Sequence, residues 1–145
     1  MNRFFRKTLP LVLCLVLCTA ITILAAGCGV KKSGGAYSTN IYKSGTIGKG
    51  ATEFTLQVVD ADKNETTLKV KTDEKTVGAA LLKLEVIAGD TSEYGLYVKC
   101  VNGTVADYDV DQTYWAFYIN GEYAMTGVDA TDITPGATYA LKVEK

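Results

Sequence analysis

Tyr114-Trp115-Ala116-Phe117-Tyr118-Ile119-Asn120-Gly121-Glu122-Tyr123-Ala124 is the run from which the fold reads. It holds the single tryptophan and four further aromatic residues around an Asn-Gly pair. Asn-Gly is the strongest short-range signal for a two-residue hairpin turn, because both central residues must take positive φ. The pattern predicts the central hairpin of a small sheet. With that turn Ile119 faces Glu122, Tyr118 faces Tyr123, Phe117 faces Ala124 and Ala116 faces Met125, and opposed residues share a face. Trp115, Phe117, Ile119 and Ala124 then line one side, and Tyr114, Ala116, Tyr118, Tyr123 and Met125 the other. Both sides are apolar.

Working upstream, Glu53 to Val58 alternates with Phe54, Leu56 and Val58 on one face, and Glu65 to Lys71 repeats the pattern with Leu68 and Val70. Asp60-Ala61-Asp62-Lys63-Asn64 between them is turn chemistry, so the two segments form a first hairpin. From Thr72 to Ala88 the period changes: Val77, Leu81, Leu84 and Ala88 share one helical face. Thr72, Asp73 or Thr76 can cap this helix and Gly89 can end it. Tyr94 to Val101 alternates again, and Asn102-Gly103 is a second hairpin turn leading through Thr104 to Tyr108. Downstream of the aromatic run, Val128 to Gly136 is a loop and Thr138 to Val143 a last strand. The expected architecture is α+β, with one helix across a mixed, hairpin-rich sheet in an order compatible with a β-grasp. A single helix covers only one face of a sheet, so the tyrosine face should meet a loop, a partner or a ligand.

The N-terminal part reads as targeting. Met1 to Lys7 carries Arg3, Arg6 and Lys7 with no acid, and Leu9 to Leu24 is almost wholly apolar, the charged and apolar regions of a secretory signal. Ala25-Ala26-Gly27-Cys28 resembles a bacterial lipobox, in which the signal, residues 1–27, is cut before a cysteine that carries the lipid; Ala25 stands where leucine is usual. The expected product is a lipoprotein held through Cys28 on the extracytoplasmic face of the cell membrane. Cys14 and Cys18 leave with the signal and Cys28 is lipidated, so Cys100 is the one free thiol and no internal disulfide is expected. Residues 28–50 are rich in glycine and read as a flexible basic tether, with an rms reach of roughly 25 Å. Tyr37, Ile41 and Tyr42 are too apolar for pure spacer; packing on the domain, or no role, is preferred for them over a peptidoglycan-facing role, and the domain is expected over residues 51–145.

Charge divides along the chain. Cys28 to Gly50 contains Lys31, Lys32, Lys43 and Lys49 and no acid, whereas from Ala51 onward 16 Asp and Glu stand against 8 Lys. A basic tether is attracted to anionic lipid and an acidic domain is pushed away from it. Such a domain is also a poor partner for nucleic acid, which requires clustered Lys and Arg.

Tyr114 to Gly121, followed by Gly127-Val128-Asp129 and Pro135-Gly136, resembles the C-terminal β-domain of transcobalamin and intrinsic factor, and in particular bacterial secreted domains of unknown function related to it. Thr76-Val77-Gly78-Ala79-Ala80-Leu81 is similar to the family's helix start, so the resemblance spans roughly Ala51 to Lys145. Ala137 stands after Gly136 where the family often has aspartate. The resemblance implies a β-grasp-like fold and a corrinoid such as cobalamin, or another flat molecule, as candidate ligand. The family's helical barrel has no counterpart here, so one wall of a pocket is expected, alone or beside a transporter or surface protein.

Catalytic readings fail on residue types. The chain contains no histidine, which removes Ser-His, Cys-His and the usual zinc sites together. Cys100 sits among Leu96 and Val98 as a small core hydrophobe. Asp107, Asp109 and Asp111 have the spacing that opens an EF-hand, yet Gln112 stands where its glycine belongs and Tyr118 where its bidentate glutamate belongs. The expected function is a non-catalytic, membrane-anchored ligand-binding domain without a required cofactor or metal, its ligand held by Tyr114, Trp115, Tyr118, Tyr123 and Met125. The alternative is a protein- or glycan-binding adhesion module that uses the same face.

Overall fold

The computed structural model describes residues 32–34 and 37–145 of the chain. Cys28 and the expected signal lie outside them. In chain order the strands are β1 (Lys32–Gly34), β2 (Tyr37–Thr39), β3 (Gly45–Gly48), β4 (Thr52–Val59) and β5 (Glu65–Thr72). Helix α1 (Val77–Lys83) follows, then β6 (Ile87–Ser92), β7 (Gly95–Val101), β8 (Thr104–Val105), the short helix α2 (Tyr108–Asp111), β9 (Tyr114–Ile119), β10 (Glu122–Tyr123), a 3-10 turn at Val128–Ala130 and β11 (Thr138–Glu144). The architecture is α+β.

Six strands form the main sheet in the order β10-β9-β11-β4-β5-β3. The first hairpin forms as expected, with Leu56 opposite Leu68 and Phe54 opposite Val70. β11 enters between the two hairpins, parallel to β4 and antiparallel to β9. The hairpin at Asn120-Gly121 has the expected register, Ile119 opposite Glu122 and Tyr118 opposite Tyr123, with φ of +49° and +85° at its two turn residues. Its position differs from expectation. The last strand takes the centre, and β9-β10 lies at the sheet edge, where Asn120 is pinned to β11 by its N–H to the Thr138 carbonyl (2.7 Å) and by the Thr138 N–H to its Oδ1 (2.9 Å).

The inner face of this sheet carries Phe54, Leu56, Val58, Leu68, Val70, Trp115, Phe117, Tyr139, Leu141 and Val143, all buried. Tyr139 stacks on Phe117 (centroids 5.9 Å) and meets Phe54 edge-on (5.3 Å), tying three strands together. Val77, Ala80 and Leu81 of α1 pack on this surface, joined by Ile87, Val98 and Val101 from a second sheet of order β6-β7-β8. One helix and a small sheet therefore share the cover that the sequence assigned to a helix alone.

The helix is shorter than its periodicity suggests. Thr76 caps it, its Oγ1 accepting from the Ala79 N–H at 3.2 Å, but it ends at Leu84 rather than Gly89. Glu85 takes φ +53°, its N–H donates to the Leu82 carbonyl and the Val86 N–H to the Leu81 carbonyl. These two bonds are a Schellman motif, which an apolar pair at the third-last residue and the second beyond the cap commonly accompanies. Leu81 and Val86 are both fully buried. Ile87 and Ala88, which fit the helical face, instead begin β6 and pair with Val101 and Cys100.

The segment expected as a tether is part of the fold from Tyr37 onward. β3 pairs in parallel with β5 at the sheet edge, and Thr39 is buried. Tyr42 and Asn102 exchange two hydrogen bonds, the Tyr42 N–H to Asn102 Oδ1 at 2.7 Å and Asn102 Nδ2 to the Tyr42 carbonyl at 3.0 Å. Tyr42 therefore packs on the domain as expected, and residues 37–50 do not act as a free spacer.

Candidate functional site

The period-two alternation of β9 sends Trp115, Phe117 and Ile119 inward and Tyr114, Ala116 and Tyr118 outward. Register with β11 places Ala140 beside Tyr118, Lys142 beside Ala116 and Glu144 beside Tyr114 on that outer face. Tyr118 is its best-connected member. Its hydroxyl donates to Glu144 Oε1 at 2.6 Å, the Lys142 ammonium lies 4.9 Å from its ring centroid, and its ring meets Tyr123 edge-on at 5.5 Å and 83°. The Glu144 carboxylate first, then partial desolvation, pushes the Tyr118 hydroxyl up to about 12. Tyr114 is also raised, chiefly by desolvation and then by Tyr123 and Glu144.

Exposure grades outward along this group. Tyr114 and Tyr118 are half-buried, Tyr123 is 57 % exposed and Met125, past the end of β10, is 95 % exposed. Trp115 does not join them. It is 7 % exposed, on the inner side of the sheet within the core. Glu144 also lines an adjoining open depression of about 350 Å³ with Lys63, Thr113 and Val143. Lys142 and Glu144 were not singled out in the sequence. Their outward phase follows from Tyr139, Leu141 and Val143 pointing in, but their meeting with Tyr118 depends on β11 pairing with β9.

The other residues weighed in the sequence have structural partners. Asp107 caps α2, its Oδ1 accepting from the Asp109 N–H at 3.2 Å, and its Oδ2 lies 3.4 Å from the Lys99 ammonium. Asp111 Oδ1 accepts from the N–H and the hydroxyl of Thr113, which lowers its carboxyl pKa. The carboxylates thus serve a local turn. Among the described residues no three His, Cys, Asp or Glu side chains gather as a metal site. Cys100 is fully buried, its Sγ 3.6 Å from Thr39 Oγ1. Tyr37 packs over the second sheet, donating to Asp90 Oδ2 at 2.6 Å, while Lys99 lies against its ring and that of Tyr97. Neither Tyr37 nor the 128–136 loop covers the tyrosine face: Val128 and Asp129 pack against Gly78 of α1.

Fold and site together define an α+β domain with one aromatic, partly open edge. Residues 74–145 match the family model described as "Domain of unknown function (DUF4430)". A crystal structure of a protein from Ruminococcus gnavus ATCC 29149, described as having a proposed metal binding role, superposes with a TM-score of 0.62 at 28% identity over 66% of this chain and 98% of that one. Haptocorrin in complex with Cbi aligns with a TM-score of 0.49 at 18% identity, over 68% of this chain and 26% of haptocorrin. No curated protein matches the chain.

Proposed function

We propose that the chain is a non-catalytic, membrane-anchored extracytoplasmic domain that binds a small flat ligand on the outer face of β9-β10, with Tyr118 and Tyr123 as the contact residues and Tyr114 and Met125 at its margins. The observation that carries this reading is the edge-on Tyr118–Tyr123 pair, which presents a partly exposed aromatic surface at the end of the sheet. Tyrosine rings offer flat apolar area with a hydroxyl that tolerates water. Lys142 and Glu144 add one charge of each sign beside them. The resemblance of the Tyr114–Gly121 run makes a corrinoid the first ligand to try. The arrangement of β4-β5, α1, β9 and β11, with β4 and β11 parallel at the centre, supports a β-grasp assignment.

The test is titration of the full chain in non-ionic detergent with cobalamin, following the corrinoid visible spectrum. Saturable change that Tyr118→Ala or Tyr123→Ala weakens about tenfold, from one to two kcal/mol of stacking per ring, supports the assignment. No change at high micromolar ligand removes corrinoids. Capture of a protein or glycan that depends on Tyr118 would then favour the adhesion alternative.

A further inference from the structure

The chain contains two Asn-Gly pairs, Asn102-Gly103 and Asn120-Gly121, and they sit in unlike surroundings. An Asn-Gly step is where a chain deamidates most readily. The glycine amide nitrogen attacks the Asn Cγ, the side-chain nitrogen leaves as ammonia, and water then opens the cyclic imide to an aspartyl or an isoaspartyl residue. Glycine favours the attack because no Cβ shields its nitrogen. The step needs a Gly N–H open to water, a carboxamide free to turn, and a backbone that can leave its turn.

At Asn102-Gly103 all three are withheld. The Gly103 N–H donates to Thr39 Oγ1 at 2.6 Å, Asn102 Oδ1 and Nδ2 are both bonded to the Tyr42 backbone, and the Asn102 N–H donates to the Val86 carbonyl at 2.8 Å. Ile41 lies over this turn, its Cγ1 2.6 Å from where a Gly103 Cβ would stand. At Asn120-Gly121 the side chain has one bond, Oδ1 accepting from the Thr138 N–H at 2.9 Å. A backbone N–H at that oxygen aids the reaction, since the charge that develops on attack falls there. Both asparagines accept at Oδ1, so the difference lies in the nucleophile and the leaving group. Asn120 Nδ2 and the Gly121 N–H have no partner among the described residues. Both turn residues are exposed, and nothing lies within 4 Å of a Gly121 Cβ. The strand beyond the turn is only Glu122–Tyr123, both exposed, so the turn opens locally at little cost.

We propose that Asn120-Gly121 is a spontaneous deamidation site whose reaction breaks up the Tyr118–Tyr123 pair. The balance is loss of one ammonia and uptake of one water, with no enzyme and no oxidant. The isoaspartyl product routes the main chain through the side-chain carbon and is one methylene longer. A two-residue turn that sets Ile119 opposite Glu122 and Tyr118 opposite Tyr123 has no slack for that length, and in a hairpin the turn fixes the register. Tyr123 therefore leaves its edge-on contact with Tyr118 at 5.5 Å, and the new carboxylate adds a second negative charge beside Glu122. The hairpin thus carries a slow, irreversible loss of its own aromatic surface. The consequence for binding rests on the reading of the tyrosines as a ligand surface; the chemistry does not.

The test ages the full chain in non-ionic detergent at mildly alkaline pH and follows both pairs by peptide mass mapping, with aspartyl and isoaspartyl forms separated. Asn120 should be lost at least about tenfold faster than Asn102, since each hydrogen bond that must break before reaction slows it by about fivefold. In denaturant the same chain should lose both at similar rates, because local sequence alone then decides. Equal rates in the folded chain, a faster Asn102, or no reaction at Asn120 while the denatured chain reacts overturns the site. In the isoaspartyl fraction the nuclear Overhauser contact between the Tyr118 and Tyr123 rings should disappear, and its survival overturns the effect on the surface. Cobalamin enters neither readout, so failure of the ligand reading and failure of this one are told apart.

Discussion

A methyl group added at Gly78 would lie 2.7 Å from the Asp129 Cα and 2.8 Å from its backbone nitrogen. Alanine raises helix propensity over glycine by about 1 kcal/mol, yet the clash is with backbone, which cannot rotate aside. Gly78→Ala is therefore expected to destabilise by about 1–3 kcal/mol, measured by denaturant unfolding. Gly121 sits at φ +85° with nothing within 4 Å of a Cβ, so Gly121→Ala should cost only the left-handed penalty of about 1–2 kcal/mol. Tyr118 supplies a test by pH. Its hydroxyl ionises at about 12, above the usual phenol value. A raised phenol means that folding favours the neutral form, so its contribution is complete below pH 10 and disappears as pH rises through 12. In Glu144→Gln the phenolate absorbance should move down toward the ordinary tyrosine range; an unmoved titration would remove Glu144 as the cause. Such partnerships are hard to read in advance, because Tyr118 and Glu144 are 26 residues apart and nothing local encodes their meeting.

At the scale of elements, legibility follows how local the deciding forces are. Asn120-Gly121 and Asn102-Gly103 make their turns because their backbone preference matches the φ required. The alternation of Phe54, Leu56 and Val58 fixes which face of β4 is buried. The helix shows the limit. Leu84, Ile87 and Ala88 continue a helical stripe, but Val86 gains burial, Ile87 gains burial and strand pairing in β6, and Glu85 takes a left-handed conformation at the junction. The start of α1 was readable from Thr76, and Thr76→Ala should lose about 1 kcal/mol through its cap bond, seen as a lower melting temperature. β6 is not legible in the sequence, because its Gly89-Asp90 passage looks like a helix stop and its pairing with β7 includes a bulge at Ala88/Gly89.

For the molecule as a whole, the N-terminal boundary is the largest revision. Composition made residues 28–50 a tether, since six glycines and no hydrophobic period suggest nothing to bury. Yet β3 closes one edge of the main sheet, Thr39 Oγ1 accepts from the Gly103 N–H at 2.6 Å, and Tyr42 and Asn102 bond reciprocally. A chain beginning at Ala51 would expose the β5 edge and leave these polar groups unpaired. It is expected to melt well below the full chain and less cooperatively; equal melting temperatures by circular dichroism would count against an integral role for β3.

The sequence by itself determined the two Asn-Gly turns, the register of the aromatic hairpin, the buried faces of β4, β5 and β11, and the absence of histidine chemistry, because each depends on a residue type or a short-range period. Tertiary structure alone decided that β11 takes the centre, that Trp115 belongs to the core while Tyr118 meets Lys142 and Glu144, that α1 stops at Leu84, and that residues 37–50 belong to the fold. These outcomes turn on which distant segments bury each other's apolar faces and satisfy each other's backbone groups, and that competition is resolved only when the whole chain has folded.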